Sequence, residues 1–310
     1  MIESIETMGG QVERYVESST ATNTKRAYYS DWRAFCSWCL EREIESLPAT
    51  ASTVAEYLTF CAGRYRSSTI DRKRAAISVA HKAAGMDSPC RSSVVQSVCK
   101  GIKRTHGSAS EGKRPVRLAD IKRLATGSTS SLRARRDYSL LLICYAGAMR
   151  RSEVVGINLE DIRFVPEGLL LSIRRSKTDQ EGQGFTKAIP FGAHEDTCPV
   201  RCIQNWITAA NILSGPLFRP ISTSGKVLTR RMSDRMVAMI VKSHATAMGL
   251  DPRTVSGHSL RAGLVTDAFA SNVPESIIMA HTGHKSLHVL SGYRREANLF
   301  KQNAVSQIGL

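Results

Sequence analysis

Residues 105–115 read Thr-His-Gly-Ser-Ala-Ser-Glu-Gly-Lys-Arg-Pro, small and polar with no periodic apolar positions, and they interrupt a chain patterned mainly for helices. A stretch of this kind is an exposed connector, so the chain folds as two units rather than around one core. The reading is a helical unit over residues 1–104, a basic linker over 105–116 and a second unit over 117–310. With 310 residues and 42% hydrophobic content, two modest cores are affordable.

The connector lies within a basic stretch of a basic chain. Lys and Arg exceed Asp and Glu by 43 − 27 = +16, which points to a polyanionic partner, most often nucleic acid. From Lys100 to Arg123 there are eight Lys/Arg against two acids, making Lys103, Arg104, Lys113, Arg114 and Arg117 candidate contacts to a phosphate backbone. A solvated charge run is the plain alternative. There is no basic-then-apolar signal pattern at the start and no apolar run near the ~20 residues that span a bilayer, so a cytosolic or nucleoid protein is expected.

Four amphipathic helices are expected before the connector. Tyr28, Trp32, Phe35, Cys36 and Cys39 share a face at spacings of three and four, and Val54, Tyr57, Leu58 and Cys61 follow Pro48. A third helix carries Ile70, Ala76, Ile77 and Ala80 and stops at Gly85; a fourth spans Pro89 to Arg104. Beyond the connector come a short helix from Leu118 to Ala125 and a longer one from Arg133 to about Ala148, with Arg150 at its end. Strand-like runs follow at Leu169–Arg174 and Lys187–Pro190 around a polar turn, and then helices at 199–213, 232–248, 258–271 and 274–281. The fold class is mainly α: a helical bundle, then a mostly helical α+β domain with a small antiparallel sheet.

Several motifs fail on inspection. Gly107 to Arg114 nearly matches a phosphate-binding loop, but Arg114 takes the hydroxyl position, Pro115 follows and no strand precedes it. Gly257-His-Ser-Leu-Arg261 resembles a nucleophile elbow lacking its second glycine. Cys36/Cys39 and Cys198/Cys202 are read as reduced packing residues, and His281, His284 and His288 as a zinc face broken at Gly283. The acids form scattered pairs such as Glu160-Asp161 rather than a two-metal set, so no metal and no cofactor are expected.

What remains is a set of cations around one tyrosine. Arg150 and Glu153 lie one helical turn apart; Lys177 sits in Ser-Lys-Thr-Asp at the turn between the strands; His258 and Arg261 share a helix face; His284 follows, and Tyr293 comes nine residues later. Singly, each has an ordinary structural explanation as a dipole partner, salt-bridge mate or packed ring. Together they suit attack on a phosphodiester without a metal. Two arginines can neutralise the non-bridging oxygens, a tyrosine of ordinary pKa ~10 needs a nearby acceptor such as His258, and a lysine at a hairpin tip can protonate the departing oxygen.

In order and spacing these residues resemble the tyrosine recombinases, the phage-integrase family that includes the Cre/Xer group. The family pattern of Arg with an acid three residues on, hairpin Lys, His-x-x-Arg, then Gly-His and a Tyr nine residues later matches Arg150, Glu153, Lys177, His258, Arg261, Gly283-His284 and Tyr293. Ala148 stands where a glycine is usual, and Arg151 is more polar than the common residue.

The resemblance implies a SAM-like core-binding domain followed by a catalytic domain, closing as a C-shaped clamp on DNA, with no arm-binding domain before residue 20. It implies site-specific recombination of double-stranded DNA at paired sites through a 3′-phosphotyrosine and a Holliday junction, by a homotetramer; the apolar tail from Leu299 to Leu310 is then a helix that either docks on a neighbouring subunit or folds onto its own domain. Arg150, Lys177, His258, Arg261, His284 and Tyr293 would be catalytic and Glu153 orienting. A non-catalytic DNA-binding regulator and a relaxing topoisomerase are the competing classes.

Overall fold

The computed structural model describes residues 22–108, 112–125, 130–174, 184–284, 286–298 and 308. The chain divides into two units, Met1–Glu111 and Gly112–Leu310.

The first unit holds α1 (Thr22–Leu40), α2 (Ala51–Cys61), α3 (Ser67–Ala83) and α4 (Ser93–His106). Phe35, Trp38 and Cys39 of α1 meet Val54, Tyr57 and Leu58 of α2 and Ile70 and Ile77 of α3 in one core, as their three- and four-residue spacings require. Thr50 and Ser92 cap α2 and α4, accepting from Thr53 N at 3.1 Å and Val95 N at 3.3 Å. The fourth expected helix is therefore split. Pro89–Arg91 forms one 3-10 turn, and α4 starts only after the Ser92 cap, running two residues past Arg104. A polar cluster centred on buried Asp31 and Lys73 crosses the bundle: Asp31 pairs with the exposed Arg72 at 2.7 Å and with Lys73 at 3.5 Å, and Lys73 reaches Tyr57 Oη at 3.2 Å.

The second unit begins inside the expected linker, since Val116 is fully buried and donates its N–H to Ser259 O at 2.9 Å. Its helices are α5 (Leu118–Lys122), α6 (Leu132–Ala146), α7 (Arg151–Gly156), α8 (Pro199–Ala209), α9 (Asp234–Ser243), α10 (Ser259–Ala270), α11 (Glu275–Thr282) and α12 (Leu287–Asn298). α6 is buried on all sides from Leu140 to Tyr145 and forms the axis of the core. A three-stranded antiparallel sheet, β1 (Ile162–Val165), β2 (Gly168–Ile173) and β3 (Phe185–Pro190), pairs Leu171 with both Ile162 and Lys187. The mostly helical architecture with one small antiparallel sheet is the expected one. β1 went unread because its four residues are all exposed or half-buried and show no alternation.

Candidate active site

Arg150 does not end the long helix as expected. α6 stops at Ala146, the chain turns through Gly147 and Ala148, and Arg150 becomes the N-cap of α7. Ala148 has φ 46°, the left-handed conformation that suits glycine. At the third position of α7, Glu153 takes the Arg150 backbone N–H on Oε2 at 2.9 Å and its guanidinium on Oε1 at 2.6 Å. That carboxylate is buried, so one acid both caps the helix and fixes the arginine.

α10 supplies the second arginine. Arg261 is 2% exposed, donating from Nη1 to Ala148 O at 2.6 Å and from Nη2 to His284 Nε2 at 3.1 Å. Burial first, and then the neighbouring Arg150 charge, pull it down to about 10, which leaves it protonated at neutral pH.

Donor bookkeeping fixes the state of His284. A guanidinium has no acceptor, so Nε2 carries no proton. Thr282 Oγ1 gives its only proton to Ile278 O at 2.6 Å, so the 2.7 Å contact to His284 Nδ1 is Nδ1–H donating to the hydroxyl. The ring is neutral, in keeping with burial and then the Arg261 and Arg150 charges lowering it to about 4.

His258 precedes α10 by one residue, and its Nε2 lies 3.1 Å from Tyr293 Oη. Tyr293 is on α12, one turn after Leu290, which is buried with Val265, Phe269 and Ile278 and anchors that helix on α10. Arg151, the residue of unusual polarity, lies across Gly257 next to His258: a Cβ on Gly257 would come within 2.2 Å of Arg151 Cδ. The site therefore joins two arginines, a phenol and an imidazole within hydrogen-bond reach of that phenol.

The sequence model of the Phage integrase family matches residues 116–299. The chain belongs to that family. It is 35% identical over 311 residues to the integrase/recombinase xerD homolog of Selenomonas ruminantium, covering 99% of this chain and 91% of that one. Identity to tyrosine recombinase XerD of Neisseria meningitidis serogroup B is 25% over 186 residues, covering 59% of this chain and 58% of the relative. The Tn1549 transposon integrase in complex with transposon right end DNA shares the fold at a TM-score of 0.61 and 15% identity, covering 94% of this chain and 97% of that chain. A lambda integrase dimer bound to a core site does so at 0.59 and 19%, covering 93% and 94%. The chain is a site-specific tyrosine recombinase.

Within the recombinase, the structure brings together Arg150, Glu153, His258, Arg261, His284 and Tyr293. Lys177 lies outside the described residues. The basic candidates are variously engaged. Lys103 pairs with Asp71 at 2.7 Å, Lys113 donates to Arg253 O at 2.7 Å, and Arg104 and Arg114 are exposed. Arg117 is ion-paired through Nε to Asp267, whose other oxygen accepts from Leu118 N at 3.0 Å and Tyr145 Oη at 2.5 Å. His281 donates Nε2–H to Ala146 O at 2.7 Å, and no cluster of three potential metal ligands occurs among the described residues. Sequence reasoning missed Lys187, buried in β3, although the alternation of Phe185, Lys187 and Ile189 places it on the inward face.

No helix among the described residues is long and apolar enough to cross a membrane.

Proposed function

We propose that Tyr293 is the nucleophile of this recombinase. Its Oη attacks a backbone phosphorus, passing its proton to His258 Nε2, while Arg150 and Arg261 hold the non-bridging oxygens. The P–O bond to the 5′ oxygen breaks, that oxygen takes a proton from Lys177, and the 3′ end stays linked to Tyr293. One phosphodiester is traded for another, so no ATP or metal is invoked, and a 5′-hydroxyl from a partner duplex reverses the step to join recombinant strands. Glu153 orients Arg150, and His284 serves as the acceptor that orients Arg261. The observation that carries this reading is the 3.1 Å approach of His258 Nε2 to Tyr293 Oη, made from the N-cap of the helix that bears Arg261.

The wider assembly is part of the same reading: double-stranded DNA with paired sites, a homotetramer working through a Holliday junction, and exchange of the C-terminal segment, which lies almost wholly outside the described residues. A structural neighbour, lambda integrase, is seen as a tetramer bound to a Holliday junction. Lys103, Arg104, Lys113, Arg114 and Arg117 are proposed to meet the DNA backbone, the first two from the first unit, and the protein would act in the cytoplasm on the nucleoid.

The test is a nicked suicide duplex carrying the sequence that the protein enriches from a randomised pool. A detergent-stable protein–DNA adduct is expected and is absent from Tyr293→Phe. A non-catalytic regulator would give no adduct with the native protein, and a relaxing topoisomerase would need no paired sites.

A further inference from the structure

Lys187 is a charged residue at a strand position that calls for an apolar one. It is 4% exposed, its aliphatic neighbour across β2 is Leu171, and Phe185 on its own strand places a ring 5.4 Å from the ammonium. Burying an ammonium costs several kcal/mol unless its partners compensate, and a methionine would fill similar space without that cost. The partners are specific. Nζ donates to His281 O at 2.5 Å, in the last turn of α11, where helix carbonyls lack intrahelical donors and the dipole is negative. Glu153 attracts it, while Arg261 and Arg150 repel it.

The tethered carbonyl is one residue from Thr282 and three from His284, the pair whose hydrogen bonds end on Arg261. We propose that Lys187 is a positioning residue for strand transfer: its ammonium ties β3 to the end of α11, holds His284 under Arg261, and adds a fixed positive charge behind the two arginines. This rests on the recombinase mechanism proposed above. Burial, opposed by Glu153, brings Lys187 down to about 8, so most molecules carry the charge at neutral pH.

The full chain is compared with Lys187→Met, which fills the space without charge or donor, and Lys187→Gln, which keeps an N–H donor. The DNA probe is the suicide duplex described above. Binding and single-turnover adduct formation are measured separately, and NMR of isotope-labelled histidine follows the His284 ring. Lys187→Met is expected to slow adduct formation roughly tenfold or more with binding within about twofold, the signature of lost transition-state orientation. The Nδ1–H tautomer of His284 should weaken and its titration move up towards the ordinary histidine range. Lys187→Gln should fall between; if the Met variant does not fold, Gln against the native chain carries the same comparison. Native cleavage with an unchanged His284 ring in the folded variants overturns the proposal. Should the native chain form no adduct, the mechanism fails on its own terms, and the ring alone decides the tether: altered by the substitution, it supports the tether; unaltered, it removes it.

Discussion

Replacing Thr282 with valine isolates one oxygen on which the arginine geometry depends. The two side chains are nearly isosteric and both β-branched, so backbone and volume stay the same. Thr282 is 1% exposed, and its hydroxyl accepts His284 Nδ1–H while donating to Ile278 O. With valine there, the Nδ1–H tautomer points its proton at a methyl group. The alternative tautomer turns Nε2–H towards the donors of Arg261, so neither form escapes an unsatisfied, half-buried donor. Stranding one such group costs about 1–3 kcal/mol, partly offset by the drier methyl, for a net loss of ~1–2 kcal/mol. In a unit of this size that lowers Tm by roughly 2–8 °C. Urea unfolding and thermal melts measure it, and single-turnover adduct formation should fall about tenfold as Arg261 loses its brace. A stability change below ~0.3 kcal/mol with unaltered cleavage would show that the hydrogen-bond chain carries no orientation, and the assignment of His284 would be refuted.

Other outcomes follow from single contacts. A Cβ on Gly263 would lie 1.7 Å from Val116 O, so Gly263→Ala should destabilise by ~2 kcal/mol or more, whereas Gly292→Ala, with nothing within 4 Å on a helix, should be neutral or stabilising by up to ~1 kcal/mol; comparative thermal melts decide. Ala148→Gly relieves a left-handed φ of 46° and should not destabilise, against the usual loss of ~1 kcal/mol for a substitution at a fully buried position. Burial lowers both His284, to about 4, and His281, and below the ordinary histidine pKa of ~6.5 the unfolded chain binds more protons at these sites. Their contribution to stability should therefore be complete above ~pH 6.5 and be lost as pH falls towards 4, as a series of melts will register.

Much of the site was legible because its chemistry forces residue types and spacings: His258 and Arg261 three apart, although His258 caps the helix rather than lying on it, Arg150 and Glu153 one turn apart, and Tyr293 beyond Gly283-His284. Side-chain direction was less legible. Arg150 looked like the end of α6 because its apolar run reaches Met149; the turn at Ala148 that makes it the N-cap of α7 is a backbone event with no apolar period to mark it. His284 looked like a catalytic cation, whereas its neutrality follows from where the Thr282 proton goes, which no sequence period encodes. Lys187 was hidden by its charge, since a lysine in a strand is ordinarily assigned to solvent. The connector looked exposed to residue 116 because Val116 packs against Ser259 and Gly263, nearly 150 positions away.

The most direct measurement is mass spectrometry of the peptide carrying DNA after detergent quenching of the suicide-duplex reaction, with the linked DNA end identified. The mechanism requires that the nucleotide be joined through its 3′ phosphate to the Tyr293 oxygen, with a free 5′-hydroxyl on the released strand. A linkage at any other residue, or an undiminished adduct from Tyr293→Phe, would contradict it.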